Sequence, residues 1–239
     1  MVHVPGIPGK KQHEMRTCVL IPTHNEAKNI AELVKNIRGQ KLDILVIDDG
    51  SSDNTADLAR DNGAEVIKNP RNLGKGASLI KGFEHILNNG FDACITMDGD
   101  GQHRPEEISN FIQAASSSTD GIIIGNRMAK SANMPLLRVL TNKFMSWLIS
   151  KIIRQKISDS QCGFRLLKKE VLKKIKLRTA KFEIESEIII EASRNGFTIA
   201  SIPITSVYIN ETSHINPFTD TLRFLRFLFE RIKQKTTPH

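Results

Sequence analysis

Short apolar runs alternate with amphipathic segments through the first half of the chain, and this alternation narrows the folds that the chain can adopt. A short apolar run bounded by polar or turn-forming residues is typical of a strand. Continuous apolar strands fit a sheet that is covered on both faces. The predicted strands are residues 18–22, 42–48, 64–68, 93–98 and 121–125.

Helices are predicted between these strands. The first has apolar residues at the i, i+3, i+4, i+7 spacing of one buried face, and they are Ile30, Leu33, Val34 and Ile37. Others are predicted over residues 52–63 and 74–89, and from Pro105 onward. This order of strands and helices predicts an α/β fold, a mostly parallel sheet with helices on both faces. Ligands in such sheets bind at the carboxyl ends of the strands.

The pattern changes in the second half of the chain. Residues 1–16 lack apolar periodicity and contain Pro and Gly, so we expect a flexible leader before a single domain over residues 17–235. After the fifth strand the prediction is a helix over residues 136–153, a loop, a helix over 182–194, a strand over 199–209 and a final helix.

The charge of the chain favours anionic partners. Of its 239 residues, 34 are basic and 26 are acidic, which gives a formal net charge of +8. Nucleotides, phospholipid surfaces and nucleic acid all fit this charge. Aromatic residues make up only 5% of the chain, too few for the interleaved stacking that single-stranded nucleic acid requires, so no nucleic-acid partner is expected.

Cysteine usage favours a reducing, cytosolic compartment, and hydropathy argues against a membrane-spanning helix. Cys18, Cys94 and Cys162 are odd in number and far apart, which fits neither a disulfide framework nor a zinc cluster. No uncharged apolar run approaches about 18 residues, so the sequence predicts no helix that crosses a bilayer.

Two aspartates one residue apart follow the fourth predicted strand. Asp98 and Asp100 would point into the ligand crevice and offer the hard oxygen ligands that Mg²⁺ or Mn²⁺ prefers, and Gln102 could complete the shell. A solvated turn is the alternative, since Asp and Gly are common in turns. An EF-hand calcium loop does not fit, because His103 and Ser109 stand where that loop needs Gly and Glu.

Polar clusters follow the first two strands as well. In VIDDGSSD, we assign Asp49 to a ligand, while Ser52 or Asp53 is expected to cap the next helix. In PTHNE, Asn25 is either a ligand-facing residue or a plain helix cap, and capping does not explain Glu26.

The motifs PTHNE, VIDDGSSD, MDGDGQHRP, GNR and SQCGFR occur in this order within residues 18–227. Together they resemble the inverting family of glycosyltransferases that contains dolichyl-phosphate mannose synthase and bacterial polyprenyl-phosphate sugar transferases. The resemblance implies a single GT-A-type nucleotide-diphospho-sugar transferase domain. Residues 17–127 would form its nucleotide-sugar and metal half, and residues 128–235 its acceptor and membrane-facing half.

The resemblance also implies roles for individual residues. Those that match the nucleotide-binding positions are Pro22, Thr23, Glu26, Ile47, Asp49, Asp98 and Gly99. The positions of the metal site, for Mg²⁺ or Mn²⁺, are matched by Asp98, Asp100 and Gln102.

The expected catalytic set is Asp100, Arg127, Arg138 and Glu187. By the resemblance, Arg127 meets phosphate and Arg138 receives the lipid phosphate, which suits the forked donors of a guanidinium. The acidic residue near the sugar is Glu185 or Glu187, although both could be ordinary helix-surface charges.

One position departs from the family pattern. Relatives usually carry Ser-Lys or Ser-Arg in a loop over the diphosphate, whereas this chain has Ser213-His214. A histidine is only partly charged at neutral pH, so it would hold phosphate less firmly unless Arg223 substitutes.

The resemblance implies two substrates and a membrane surface. A nucleoside-diphosphate sugar would be the donor and a polyprenyl-phosphate lipid the acceptor, with the protein at the cytoplasmic face of a membrane and a membrane-protein partner possible. The segments 134–156 and 222–235 combine apolar and basic residues and could lie in the membrane interface. The alternative is that these apolar stripes face the core.

Two other functions stay open. A transferase with a soluble or polysaccharide acceptor would need a general base, for which Asp159 is the candidate. A nucleotide-binding module without turnover is the other, and it is hard to reconcile with Asp98 and Asp100. Gly74-Lys75-Gly76 does not support an ATPase, because Asn69 stands where a phosphate loop has its first glycine.

Overall fold

A seven-stranded sheet forms the centre of the protein. The computed structural model describes residues 15–130, 134–181 and 183–206. Its elements in chain order are β1 Thr17–Thr23, α1 Ile30–Arg38, β2 Asp43–Asp48, α2 Thr55–Asp61, β3 Glu65–Lys68, α3 Lys75–Asn88, β4 Ala93–Thr96, a 3₁₀ turn Pro105–Glu107 leading into α4 Ile108–Ser117, β5 Ile122–Asn126, a 3₁₀ turn Arg127–Lys130, α5 Leu136–Ile153, β6 Arg165–Lys168, α6 Lys169–Lys174, α7 Ile184–Arg194 and β7 Ile199–Pro203.

The strand order places the carboxyl ends of the predicted strands at one edge. The order is β3-β2-β1-β4-β6-β5-β7. Within the sheet, β6 pairs antiparallel with both β4 and β5, and the other pairings are parallel. Strands β1, β2, β4 and β5 therefore end at the same edge, where β6 begins.

Both faces of the sheet are covered. Consecutive residues of β1 from Cys18 to Ile21 are all buried, and successive side chains of a strand point to opposite faces. A Cβ on Gly82 would overlap with the side chain of Leu20, so α3 lies directly on β1. The four apolar residues that predicted α1 are all buried. These observations confirm the predicted α/β fold with a mostly parallel sheet.

Three local predictions are wrong. The predicted loop before α7 contains β6 and α6, because Leu166 and Leu167 fill the gap between β4 and β5. The helix expected from Ser52 begins at Thr55. The last described strand ends at Pro203 rather than continuing to residue 206, because its partner β5 ends at Asn126, which pairs with Pro203.

Some sequence predictions fall outside the described residues. These are the leader up to residue 14, Phe182, the continuation of the last strand beyond residue 206 and the final helix. Within the described part of the chain, none of the helices is both long enough and apolar enough to traverse a lipid bilayer.

Candidate active site

The polar clusters predicted at the ends of β1, β2 and β4 lie together at the carboxyl edge of the sheet. The N–H of Asp49 donates to Thr23 O at 2.8 Å. A Cβ on Gly99 would lie 2.8 Å from Thr23 Cγ2 and 3.5 Å from Glu26 Cγ. The side chain of Asn29 joins Glu26 to the carbonyl of Asp100. Motifs far apart in the sequence therefore line one crevice.

Asp98 is paired with a lysine that the sequence analysis did not assign. Lys75 Nζ lies 2.6 Å from Asp98 Oδ1 and 2.6 Å from Glu185 Oε1. Burial would raise the pKa of Asp98, but the adjacent ammonium outweighs it and holds that pKa well below its usual range. On the other side of the carboxylate, His103 Nε2 lies 3.6 Å from Asp98 Oδ2. Asp98 is thus ionised and oriented.

The backbone of Gly163 packs closely against the carboxylate of Asp98. A Cβ there would lie 2.5 Å from Asp98 Oδ2 and 2.9 Å from its Cγ. The position is fixed because the hydroxyl of Thr96 donates to Gly163 O at 2.7 Å. Asp98 therefore depends on a glycine in the SQCGFR motif for its place.

Gly163→Ala is expected to lower kcat/KM by about 10–100-fold, because a small misplacement of a group that holds the reactants costs that much. Steady-state kinetics would measure this, with Gly39→Ala as the control. At Gly39 the added Cβ meets only ordinary contacts of 3.5 and 3.6 Å at the end of α1. Equal activity of the two variants would contradict the positioning of Asp98 by Gly163.

Asp100 has the surroundings of a metal-binding carboxylate. Burial, and after it repulsion by the negative charge of Asp98, raise the pKa of Asp100 above its ordinary value. Its Oδ1 accepts a hydrogen bond from the N–H of Gln102 at 2.9 Å. A divalent cation would relieve this repulsion.

The residues present fit such a cation with help from a ligand. Among residues 15–130, 134–181 and 183–206, no group of three His, Cys, Asp or Glu side chains is arranged to hold a metal. Mg²⁺ is commonly held by one or two carboxylates together with substrate phosphates and water. Asp98 and Asp100 would supply the two carboxylates of such a site.

Two predicted nucleotide-binding residues act mainly on the shape of the crevice. Asp49 Oδ1 accepts hydrogen bonds from Asn69 Nδ2 and the N–H of Leu73, and its Oδ2 accepts one from the N–H of Gly74. Burial opposes ionisation, but these donors lower the pKa of Asp49. Ile47 is fully buried within the sheet, backbone and side chain alike.

The residues considered as helix caps also join the first two clusters. Asn25 has a positive φ of 58° and its Oδ1 accepts a hydrogen bond from the N–H of Ser52. Asp53 accepts from the N–H and hydroxyl of Thr55, at the start of α2, and from the N–H of Ala27. Ser52 is therefore not the cap of α2, and Asn25 does not cap α1.

Arg127 is held rigidly at the end of β5. Its Nε and Nη2 donate to Asp159 Oδ2 and Oδ1 at 2.7 and 2.9 Å, and Asp159 is completely buried. Such a forked pair fixes the plane of the guanidinium. Arg138 lies in the first turn of α5 and is half-buried.

The structure separates the two candidate glutamates of α7. Glu187 accepts hydrogen bonds from the N–H groups of Arg178 and Thr179 and from the Thr179 hydroxyl, so its carboxylate anchors that segment. Glu185 instead borders a cavity of about 10 Å³ beside Asp98. Glu185, rather than the predicted Glu187, therefore lies next to the acidic pair.

Arg165 is a further residue that sequence reasoning missed. Its guanidinium is buried and donates to the carbonyls of Cys162, Glu185 and Ser160 at 2.6, 2.6 and 2.8 Å. It thereby ties the SQCGFR segment to the first turn of α7. An arginine inside the apolar run FRLL was the available signal. Ser213, His214 and Arg223 lie outside the described residues.

The fold and the crevice indicate the class of protein to which this chain belongs. An open, mostly parallel α/β sheet with polar clusters at one carboxyl edge is the architecture of enzymes that bind nucleotides at that edge. Comparison with known proteins gives the family. Residues 18–176 match the model of glycosyl transferase family 2. The chain belongs to glycosyl transferase family 2, and it is a glycosyltransferase.

Curated relatives cover most of the chain. A UDP-N-acetylglucosamine–dolichyl-phosphate N-acetylglucosaminyltransferase of Methanococcus voltae is 30% identical over 80% of this chain and 85% of its own length. A polyprenol monophosphomannose synthase of Mycolicibacterium smegmatis is 31% identical over 83% of this chain and 80% of its own.

Solved structures share the fold. Mannosyl-3-phosphoglycerate synthase of Rubrobacter xylanophilus has a TM-score of 0.75 at 18% identity, over 92% of this chain and 75% of that one. Glucosyl-3-phosphoglycerate synthase of Mycobacterium tuberculosis, in complex with Mn²⁺, UDP-glucose and phosphoglyceric acid, has a TM-score of 0.73 at 16% identity, over 96% and 85%.

Proposed function

We propose that the protein transfers a hexosyl group from a nucleoside-diphosphate sugar to a polyprenyl or dolichyl phosphate, with inversion and with a divalent metal, Mg²⁺ or Mn²⁺. The observation that carries the proposal is the convergence of the acidic pair with the ends of β1 and β2, where Gly99 lies against Thr23 and Glu26. The relatives from Methanococcus and Mycolicibacterium, named for dolichyl-phosphate and polyprenol acceptors, support the acceptor class.

The acidic pair would hold the metal and the donor. Asp98 and Asp100 supply two carboxylates, Gln102 lies beside them, and Thr23 with Glu26 form the wall against which a nucleoside would rest. A bound divalent ion would neutralise charge on the diphosphate leaving group. The chain's own part is to orient the donor, since positioning is a large share of catalysis.

A phosphate acceptor needs no strong general base, because it is already an anionic nucleophile. The structure supports this acceptor over a sugar hydroxyl. Asp159, the candidate base for a hydroxyl acceptor, is completely buried and bound in a forked pair to Arg127. We assign Arg127 and Arg138 to the acceptor phosphate, with Asp159 keeping Arg127 in place.

An exposed apolar face on α5 fits contact with a membrane surface. Val139, Met145 and Ile149 of this helix are buried, whereas a second row of large apolar residues is 45–73% exposed. That row is Leu136, Leu137, Leu140, Phe144 and Trp147. Lys143 and Lys151 on the same helix are exposed as well. An apolar face flanked by lysines suits the interface of an anionic bilayer.

Leu140→Glu combined with Trp147→Glu is expected to weaken binding to anionic vesicles by at least about tenfold, because burial of each side chain contributes about 1.5–3 kcal/mol. Vesicle flotation would measure this. The control, Ser116→Glu with Ser117→Glu, adds the same charge to the exposed end of α4. Equal loss in both variants would indicate a general charge effect and contradict a membrane face on α5.

The proposed reaction is tested first through its donor. A thermal-shift screen of GDP- and UDP-sugars with and without Mn²⁺ should give a metal-dependent rise in Tm for one nucleotide, since a bound ligand stabilises the folded state. Transfer is then measured with a short polyprenyl phosphate and with a soluble phosphate acceptor. Transfer only to the soluble acceptor would contradict the lipid assignment, and the absence of transfer to either would contradict the function.

The proposed location is the cytoplasmic face of a membrane, with contact through α5. The proposal includes a membrane-protein partner only if flotation of the isolated protein is weak, in which case another protein must supply the attachment. The three cysteines, all free and buried in the structure, accord with a reducing compartment.

A further inference from the structure

Lys75 is paired with Asp98, one of the two carboxylates proposed to hold the metal. Its Nζ lies 2.6 Å from Asp98 Oδ1 and 2.6 Å from Glu185 Oε1, and the side chain is 17% exposed. Two carboxylates at this distance favour the charged form of the amine, so Lys75 places a cation inside the crevice.

The backbone fixes this lysine at the start of α3. Gly74 has a φ of 98°, and a Cβ on Gly74 or Gly76 would overlap with the backbone of residues 179–180. The N–H of Gly76 donates to Ala180 O at 2.9 Å. That segment is held in turn by Glu187, through Thr179. The two glycines of the GKG sequence thus allow close packing against residues 179–180, which places Lys75, the first residue of α3, in the crevice.

Glu185 is the second carboxylate that binds the ammonium of Lys75. Glu185 is only 5% exposed, and its Oε2 accepts no hydrogen bond from any described residue. The adjoining cavity of about 10 Å³ has room for roughly one water molecule. A buried carboxylate needs a countercharge, so the ammonium can leave Asp98 and remain paired with Glu185.

We infer that Lys75 is a tethered counterion that competes with the divalent metal for Asp98, so that the metal binds tightly only together with the nucleoside diphosphate. Two cations at one carboxylate repel each other, and a diphosphate brings the negative charge that accommodates both. The inference rests on the proposed function, because it takes Asp98 and Asp100 as the metal site. It makes the binding of metal and donor mutually dependent.

The test measures the affinity of the full chain for Mn²⁺, using the electron paramagnetic resonance signal of free Mn²⁺ to determine how much is bound. We expect the unmodified protein to bind Mn²⁺ about tenfold more tightly when UDP or GDP is present, a typical coupling between two ligands. Lys75→Met should bind Mn²⁺ alone about tenfold more tightly than the unmodified protein, and UDP or GDP should then add less.

Two matched variants separate charge from packing. Lys75→Arg keeps the positive charge and should resemble the unmodified protein. Lys35→Met removes an exposed lysine from α1, away from the crevice, and should also change nothing. Glu185→Gln removes one of the two carboxylates that bind the ammonium, so Lys75 pairs with Asp98 alone. This variant should bind Mn²⁺ alone more weakly than the unmodified protein does. This last variant keeps the test decisive if Lys75→Met does not fold.

The outcomes distinguish this inference from the function beneath it. If the unmodified protein binds Mn²⁺ with a nucleoside diphosphate but Lys75→Met shows no gain in affinity for Mn²⁺ alone, the inference is overturned and the proposed function stands. An unchanged or tighter Mn²⁺ affinity in Glu185→Gln would overturn it as well. If no variant binds Mn²⁺ with either nucleotide, the proposed function fails and the inference fails with it.

Discussion

Asp100→Asn is expected to lower kcat by about a thousandfold, because a metal ion contributes several kcal/mol to the stabilisation of charge on a leaving group and each 1.36 kcal/mol is worth a factor of ten. Binding of the nucleoside diphosphate should weaken far less, since the walls formed by Thr23 and Glu26 remain. Asp100 is a better target than Asp98, whose loss would also leave Lys75 with an altered partner.

The substitution is also mild for the fold. Asp100 Oδ1 accepts a hydrogen bond from the N–H of Gln102, and the amide oxygen of asparagine can accept the same bond. Steady-state kinetics with Mn²⁺, together with titration of the nucleotide, would measure both effects. Asp61→Asn, an exposed position at the end of α2, is the control. A kcat within threefold of the unmodified enzyme would remove Asp100 from the catalytic role.

Local periodicity was sufficient for the elements that pack as the sequence suggests. The apolar residues of α1 and the apolar runs of β1 and β2 are buried as expected, because their burial follows from spacing alone. Strand β6 was missed for a physical reason. It is only four residues long, it begins with an arginine, and it is stabilised by antiparallel pairing with β4 and β5, which are distant in the sequence.

In the candidate site, too, some features follow from local sequence patterns and others depend on contacts between distant segments. That Asp98, Asp100 and Thr23 lie near one another could be predicted, because polar residues at the ends of parallel strands meet at one edge. The partners of those residues could not. Lys75 belongs to a GKG sequence that fits no phosphate loop, and Glu185 differs from Glu187 only in the direction of its side chain. Their roles follow from contacts between α3, β4 and α7, which no local pattern encodes.

Arg165→Met is expected to lower the free energy of unfolding by about 3–5 kcal/mol, because loss of a buried charged donor leaves its partners unsatisfied. The carbonyls of Ser160, Cys162 and Glu185 would each lose a hydrogen bond inside the protein. Methionine fills the space of the arginine stem with a flexible side chain that has no donor. The loss is therefore one of hydrogen bonds rather than of volume.

The desolvation of the charge works in the opposite direction and limits the expected loss. Burial lowers the pKa of Arg165 below its ordinary value, which shows that the interior disfavours the charged form, and methionine avoids that cost. Urea unfolding followed by circular dichroism would measure the difference. Arg60→Met, which removes an exposed pair with Asp57 on α2, should change stability by less than about 1 kcal/mol.

The same substitution should also disturb the crevice, because Arg165 connects the segment that positions Gly163 to the helix turn that carries Glu185. We expect metal-dependent nucleotide binding to weaken in the folded fraction of Arg165→Met, measured by titration well below the unfolding midpoint. If stability falls as expected but that binding is unchanged, Arg165 supports the fold without positioning the site. If stability falls by less than about 1 kcal/mol, the three carbonyls find other donors and its assigned role is wrong.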